Sequence, residues 1–204
     1  MLTIAIQAGG ESRRMGRDKA LIPLLGKPMI VHVYERIRSI ADEVLITTNR
    51  VSDYEFLDVP LYDDLIKGRG ALGGLYTALN FAKYPLVAIV ACDMPFANTG
   101  LFIAACERLI DQQVDAVIPH TKSGLEPLHA VYRRETCLPA VEWALRSEQW
   151  KLISWLPKIE VSFIEPQEIS IYDPKQIAFW NVNTDDDLQQ AQEYLLMSKN
   201  DESK

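Results

Sequence analysis

Apolar positions along this chain switch repeatedly between two spacings, and the switching outlines a fold. Leu2-Thr3-Ile4-Ala5-Ile6-Gln7 is a short, largely apolar run that ends at paired glycines, as a buried strand does. Between residues 28 and 40, Ile30, Val33, Tyr34, Ile37 and Ile40 recur at helical spacing, with Pro28 suited to the first turn. Val44-Leu45-Ile46-Thr47 reads as a second strand and Val59-Pro60-Leu61-Tyr62 as a short edge segment. Residues 71–83 return to a helical pattern. Leu86-Val87-Ala88-Ile89-Val90-Ala91 is continuously apolar, the mark of a central parallel strand covered on both faces.

The alternation continues with a helix over about 99–112 and strands at Ala116-Val117-Ile118 and at 128–132. Residues 135–156 have a helical pattern rich in tryptophan (Trp143, Trp150, Trp155). Val161-Ser162-Phe163-Ile164 and Ala178-Phe179-Trp180 read as late strands, and 185–197 as a closing helix. This βαβα order predicts one α/β domain over residues 1–197, a three-layer α/β/α sandwich around a mostly parallel sheet. Residues 198–204 are polar and read as a frayed tail.

Composition narrows the class. The chain has 204 residues, 48% of them hydrophobic, enough for one sizeable core. A net charge of −7 gives no global basic footprint, which argues against nucleic acid as a partner. Cys92, Cys106 and Cys137 are widely spaced and odd in number, so free thiols in a reducing compartment are expected rather than a disulfide framework. The first residues lack the basic and apolar regions of a secretion signal, and no segment has the ~20 apolar residues of a membrane span. The expected location is the cytoplasm.

Against that acidic background one short segment is basic. Gln7-Ala8-Gly9-Gly10-Glu11-Ser12-Arg13-Arg14-Met15-Gly16-Arg17-Asp18-Lys19 follows the first strand directly. Gly9 and Gly10 permit a sharp bend and a close approach to a ligand. Backbone N–H groups in such a loop form an anion-binding concavity, with Arg13, Arg14, Arg17 and Lys19 beside it. The spacing fits neither a Walker A loop nor a dinucleotide-binding Gly-x-Gly-x-x-Gly. Asp93, just past the central strand in Ala91-Cys92-Asp93-Met94-Pro95-Phe96, sits where open α/β sheets bind ligands, and its carboxylate suits Mg²⁺ on phosphate oxygens. Read without that context, Asp93, Asn49 and Asp63 or Asp64 are common turn formers, and Thr184 or Asp185 is a helix N-cap.

These pieces together resemble the molybdenum cofactor guanylyltransferase family of MobA type, within the nucleotidyltransferase superfamily. The resemblance rests on Ala8-Gly9-Gly10, Arg14-Met15-Gly16 and Asp18-Lys19-Ala20-Leu21, on Cys92-Asp93-Met94-Pro95-Phe96, and on Asn181-Val182-Asn183-Thr184 before Asp187-Leu188. Two departures stand out: Gln7 where the family has Leu, and Asp185-Asp186 where it has Pro-Glu.

The resemblance implies a Rossmann-like nucleotidyltransferase fold and transfer of GMP from GTP to molybdopterin cofactor. The products would be the molybdopterin guanine dinucleotide cofactor and pyrophosphate. It implies Lys19, Arg13 (or Arg14) and Asp93 as catalytic residues, and Mg²⁺ held by Asp93 and Asn183, with Asn181 a further candidate. Nucleotide-binding positions would be Gln7, Ala8, Gly9, Gly10, Lys19, Asn49, Asp64, Asp93 and Asn183, with Asp63 the alternative to Asp64. Glu126-Pro127-Leu128-His129-Ala130-Val131-Tyr132 would lie on the acceptor side, with Trp150 and Trp155 weaker candidates to line the acceptor groove and His129 structural. Partners would be GTP and molybdopterin cofactor, with other molybdenum cofactor biosynthesis proteins or acceptor molybdoenzyme chaperones beyond them. A cytidylyltransferase for the same cofactor, another small-molecule phosphate nucleotidyltransferase and a non-catalytic nucleotide-binding regulator are the competing readings.

Overall fold

The computed structural model describes residues 1–9 and 18–201, with side chains described to Ser198. Its elements in chain order are β1 (Leu2–Gln7), β2 (Pro23–Leu24), β3 (Lys27–Pro28), α1 (Met29–Ile37), β4 (Glu43–Thr47), β5 (Leu61–Tyr62), α2 (Gly70–Phe81), β6 (Leu86–Ala91) and α3 (Thr99–Asp111). They continue with β7 (Ala116–Thr121), β8 (Gly124–Leu125), β9 (His129–Arg133), α4 (Arg134–Arg146), β10 (Val161–Ile164), α5 (Pro166–Tyr172) and α6 (Asp185–Asp201).

The main sheet runs β10-β7-β9-β6-β1-β4-β5, with β8 paired to β7. β1 is parallel to β4 and to β6, and only β9 runs against its neighbours along that path. The chain moves outward from β1 through β4 to β5, then returns to place β6 on the other side of β1. That reversal puts α1 and α2 on opposite faces, as right-handed crossovers require. α1 and α3 cover one face against Ile4, Ile6, Ala88 and Val90. α2 and α4 cover the other against Ala5, Val87 and Ile89. Successive residues of β1 and β6 therefore feed opposite cores, so both strands are apolar throughout rather than alternating. A third, smaller core joins α6 to the β2–β3 hairpin through Ile22, Leu24, Met29, Phe96, Val182 and Ala191.

Four expectations differ from what forms. The helix expected over 135–156 stops at Arg146, where Ser147 caps it and Glu148 takes a left-handed φ of 55°. Trp155 beyond it is fully buried, donating Nε1–H to the Leu152 carbonyl at 2.7 Å. The strand expected at 178–180 is a turn instead, because Asp173 Oδ2 takes the Ala178 N–H at 2.7 Å and Trp180 N–H bonds Ile177 at 3.0 Å. α5 is an additional helix, closed at its start by a reciprocal capping box between Glu165 and Glu168. α6 continues to Asp201, into the segment read as tail. Among the described residues no helix is long and apolar enough to cross a membrane.

The Gln7 side chain, polar at the end of a buried strand, has a structural account. Its amide, oriented by its partners, accepts from Leu75 N–H at 2.9 Å and donates to the Ala71 carbonyl at 3.3 Å. It thereby ties β1 to the first turns of α2. Gly74 makes room for it: a Cβ there would lie 3.0 Å from the Gln7 side-chain amide. Gly73 is tighter still, with a Cβ position 2.9 Å from the Ile66 carbonyl oxygen and 3.1 Å from Arg69 Cβ.

Two outcomes follow from this packing. Gly73→Ala gains about 1 kcal/mol of helix propensity but forces the backbone of the preceding loop outward, at a cost of about 1–3 kcal/mol. Net destabilisation is expected by denaturant unfolding, and equal or higher stability would show that the loop gives way freely. His129 is fully buried under Phe102, and burial pushes its pKa from 6.5 down to about 4. A folded-state pKa below the unfolded value gives stability that is present above pH 6.5 and lost as pH falls through about 4, worth roughly 3 kcal/mol. His129→Gln should flatten that slope in stability measured between pH 7 and 4.

Candidate active site

The parallel register of β5, β4, β1 and β6 brings four strand ends to one edge of the sheet. Ligands of open α/β sheets bind at such an edge, in the crevice where the strand order reverses, here between β1 and β6. The ladder continues one residue past β1, with Ala8 N–H bonded to Thr47 at 2.8 Å and the Ala8 carbonyl accepting from Thr48 Oγ1 at 3.2 Å. Gly9 then leaves the sheet. Gly10, Arg13, Arg14 and Arg17 lie outside the described residues.

One group of predicted residues meets beside Gly9. Asn49 Nδ2 donates to Asp64 Oδ2 at 2.9 Å. A Cβ on Gly9 would fall 3.6 Å from that amide nitrogen and 3.9 Å from that carboxylate oxygen. Asp64 is 8% exposed, and burial raises its pKa although the Asn49 hydrogen bond works the other way. Asp63 instead faces solvent and pairs with Lys67 at 2.8 Å. The geometry therefore separates the two aspartates: Asp64 shares the pocket with Asn49 and Gly9, and Asp63 does not. Gly68 and Gly70, at φ 74° and 53°, let the chain after Asp64 turn into α2.

A second group forms at the other side of β1. Lys19 Nζ donates to Asn183 Oδ1 at 2.5 Å, across 164 residues of sequence. Val182 N–H bonds the Asp93 carbonyl at 2.9 Å, which seats the 181–183 segment on the turn after β6. The Asp93 carboxyl is largely buried; burial raises its pKa, and the nearby Lys19 ammonium partly reverses that. Lys19, Asp93 and Asn183 are thus brought together, while Asn181 bonds the Phe179 carbonyl at 3.1 Å and faces a different opening.

Two supports hold this group, and only the second has a sequence signature. Asp18 Oδ1 caps the short 3₁₀ turn Lys19–Leu21 by accepting from Ala20 N–H at 3.1 Å. Asp18 Oδ2 accepts from Tyr54 Oη at 2.8 Å, and Tyr54 is fully buried. Tyr54 carries no signature in the sequence; only its burial beneath Asp18 identifies it. The second support is Thr184, the N-cap of α6. Its Oγ1 receives the Asp187 N–H at 3.1 Å, and Asp187 Oδ2 takes the N–H groups of Asn183 and Thr184 at 3.0 and 2.9 Å. That Thr-x-x-Asp spacing is a capping pattern that a sequence reading can find.

Next to this group a cleft of about 560 Å³ opens between the β7–β8 hairpin and the segment from α5 to Asn181. Glu126, Trp180 and Asn181 line it. The Glu126–Tyr132 segment thus contributes Glu126 to the cleft. Trp150 and Trp155 do not line it: Trp155 is core, and Trp150 stacks on the Arg69 guanidinium at 3.7 Å. Among the described residues no cluster of three or more His, Cys, Asp or Glu side chains could hold a metal. Asp93 alone at this edge fits Mg²⁺ as it is bound beside phosphates, through one or two carboxylates. Asn183 Oδ1 would join it only by giving up Lys19.

Comparison with known proteins gives a consistent picture. The MobA-like NTP transferase domain family matches residues 4–159. The chain is 35% identical over 192 residues to a molybdenum cofactor guanylyltransferase of Desulfosudis oleivorans, covering 94% of each chain. It is 36% identical over 183 residues to a probable molybdenum cofactor guanylyltransferase of Carboxydothermus hydrogenoformans, covering 90% of this chain and 91% of that one. In structure it is similar to a molybdopterin-guanine dinucleotide biosynthesis protein A of Archaeoglobus fulgidus, with a TM-score of 0.83 and 27% identity over 96% of this chain and 99% of that one.

Tyr54→Phe keeps the buried ring and deletes the donor to Asp18. A hydrogen bond to a charged acceptor contributes about 1.5–3 kcal/mol, so a stability loss on that scale is expected. Nucleoside triphosphate affinity, measured by calorimetry, should weaken severalfold through Lys19. Unchanged affinity would mean that Lys19 is placed without the tyrosine.

Proposed function

The chain belongs to the MobA-like NTP transferase family, and from that premise we propose that it transfers GMP from GTP to molybdopterin cofactor, releasing pyrophosphate. The observation that carries this reading is the convergence of Lys19, Asp93 and Asn183, from three distant segments, on the carboxyl end of β1 and β6. Support for the acceptor and the product comes from the names of the relatives, a molybdenum cofactor guanylyltransferase and a probable one, which this chain matches along nearly their whole length.

In this proposal GTP lies along the β1 edge, with its base towards Asn49 and Asp64 and its phosphates towards Lys19. Backbone N–H groups of Gly9 and Gly10 orient the nucleotide beside Gln7 and Ala8. An acceptor phosphate is already an anionic nucleophile, so the reaction needs positioning and charge neutralisation more than a strong base. Lys19, with Arg13, stabilises the negative charge that builds on the departing pyrophosphate. Asn183 holds the Lys19 ammonium in place and is the second candidate oxygen donor beside Asp93. Asp93 is the ligand for Mg²⁺, which when bound neutralises phosphate oxygens. Delivery of the acceptor by other molybdenum cofactor biosynthesis proteins, and a cytoplasmic setting that keeps Cys92, Cys106 and Cys137 reduced, belong to the same proposal.

Calorimetric binding of GTP, CTP, ATP and UTP with Mg²⁺ tests it. Preference for GTP, lost in Asp64→Ala, is expected. Preference for CTP would replace the product with the cytosine dinucleotide, and binding of no nucleotide would overturn the reading. Asp93→Ala and Lys19→Ala should each cost about 10²-fold or more in pyrophosphate release with GTP and acceptor, the scale of a lost electrostatic contact to the transition state. Asp93→Ala should stay folded; its unfolding would make Asp93 a structural capping residue.

A further inference from the structure

The cleft beside the Lys19–Asp93 group has a chemistry of its own. Its volume of about 560 Å³ suits a small molecule. Phe179 and Trp180 give it apolar, flat-sided walls, and Glu126 is its acidic group. Glu126 Oε1 accepts a hydrogen bond from Thr121 Oγ1 at 3.3 Å. Among the described residues Oε2 has no hydrogen-bond partner, although the side chain is half-buried. Burial raises the Glu126 pKa against the Thr121 hydrogen bond, so the carboxylate is under-solvated. A carboxylate offers about four lone-pair sites, so donors from a ligand can be added to the one from Thr121.

Lys122, an exposed side chain, also lines the cleft, but directly beside the Glu126 carboxylate a phosphate is the wrong occupant. A flat, uncharged ring with two adjacent N–H donors is the right one, since both carboxylate oxygens can then accept in parallel. The cleft is also connected to the reacting edge. Trp180 and Asn181 line it, Val182 bonds the Asp93 carbonyl, and Asn183 holds Lys19. From Trp180 to Asn183 the chain spans at most about 10 Å, the reach of a small heterocycle bearing a terminal phosphate.

We infer that the cleft seats the acceptor's pterin, with Glu126 reading the 2-amino-4-oxo edge through the ring N–H and the exocyclic amine, and Trp180 against the ring face. This rests on the proposed function for the identity of the acceptor. It adds the residue that selects the ring, and it sends the phosphate end towards Lys19 and Asp93.

The test compares two fluorescent probes, 6-hydroxymethylpterin and its 2,4-dioxo counterpart, 6-hydroxymethyl-lumazine, by quenching on titration with the full chain. The lumazine lacks the 2-amino donor. Wild-type protein should prefer the pterin at least tenfold, and Glu126→Gln should bring the two within about twofold. Trp180→Leu should weaken both without changing their ratio. GTP affinity should be unchanged in Glu126→Gln, which also reports an intact fold. No saturable pterin binding up to millimolar concentration, equal binding of the two probes by wild type, or an undiminished preference in Glu126→Gln would each overturn the assignment. Guanine carries a similar amino-oxo edge, so loss of GTP affinity in Glu126→Gln would overturn it too, by giving the cleft to the nucleotide. Failure of the guanylyl-transfer reading shows separately, as absence of GTP binding by wild type.

Discussion

Everything at the candidate site depends on β1 being paired in parallel on both sides. With β4 on one flank and β6 on the other, the ends of three strands come out level, in registers where Gln7 faces Thr47 and Ala91. Hydrogen-bonded strands lie about 4.8 Å apart, so the residues that follow them share one small pocket. Asn49, which follows β4, and Asp93, which follows β6, therefore lie on either side of the β1 end. A one-residue slip of β1 would turn Ile4 and Ile6 towards α2 and Ala5 towards α1, mismatching both cores at once. The volume of the apolar side chains thus fixes the register, and the register fixes the pocket.

That rigid edge holds several groups whose charge is not fully solvated. Asp64 is buried with one neutral amide donor, and Asp93 is buried with one ammonium nearby. Such carboxylates are restless: their anionic form is held back by burial and is favoured once a donor or cation arrives. His129 is the opposite case. Its Nε2 accepts from Asn98 N–H at 3.1 Å and its buried ring is stacked on Phe102, so it stays neutral and structural. The contrast is one of surroundings: the His129 ring is enclosed by Phe102 and Phe179, whereas Asp64 faces the Gly9 pocket and Asp93 the Lys19 ammonium.

How much of this could be seen in the sequence follows from range. β1, β6, α2 and α3 were legible because each is a continuous apolar run or a helical stripe, a local signal. The turn at 178–180 was not, because Ala-Phe-Trp looks like a strand until Asp173 captures Ala178 N–H. The end of α4 at Arg146 was hidden for a similar reason: tryptophans at 150 and 155 continue an apolar pattern that the backbone does not follow. Asp63 and Asp64 are adjacent alternatives in the sequence, and the fold separates the two by burial. Gln7 looked out of place because its partners, Ala71 and Leu75, lie on a helix more than sixty residues away. Tyr54 was invisible for the same reason, since nothing local marks a tyrosine that supports Asp18.

The arrangement also bears on how an acidic chain can attract polyanions. A net charge of −7 repels a triphosphate at long range, and salt screens much of that beyond about 8–10 Å. Within the pocket the balance is local. Asp18 is engaged by Tyr54 and Ala20, and Asp187 by Asn183 and Thr184, so two carboxylates near Lys19 are held by hydrogen bonds from the protein. Lys19 donates to a neutral amide oxygen rather than forming an ion pair with either of them. An ammonium held by an amide keeps its full charge for an incoming phosphate, whereas one locked in a salt bridge would first have to break it. Pre-placing that charge on Asn183, at the end of a capped helix, spares the cost of ordering a long side chain at the moment of binding.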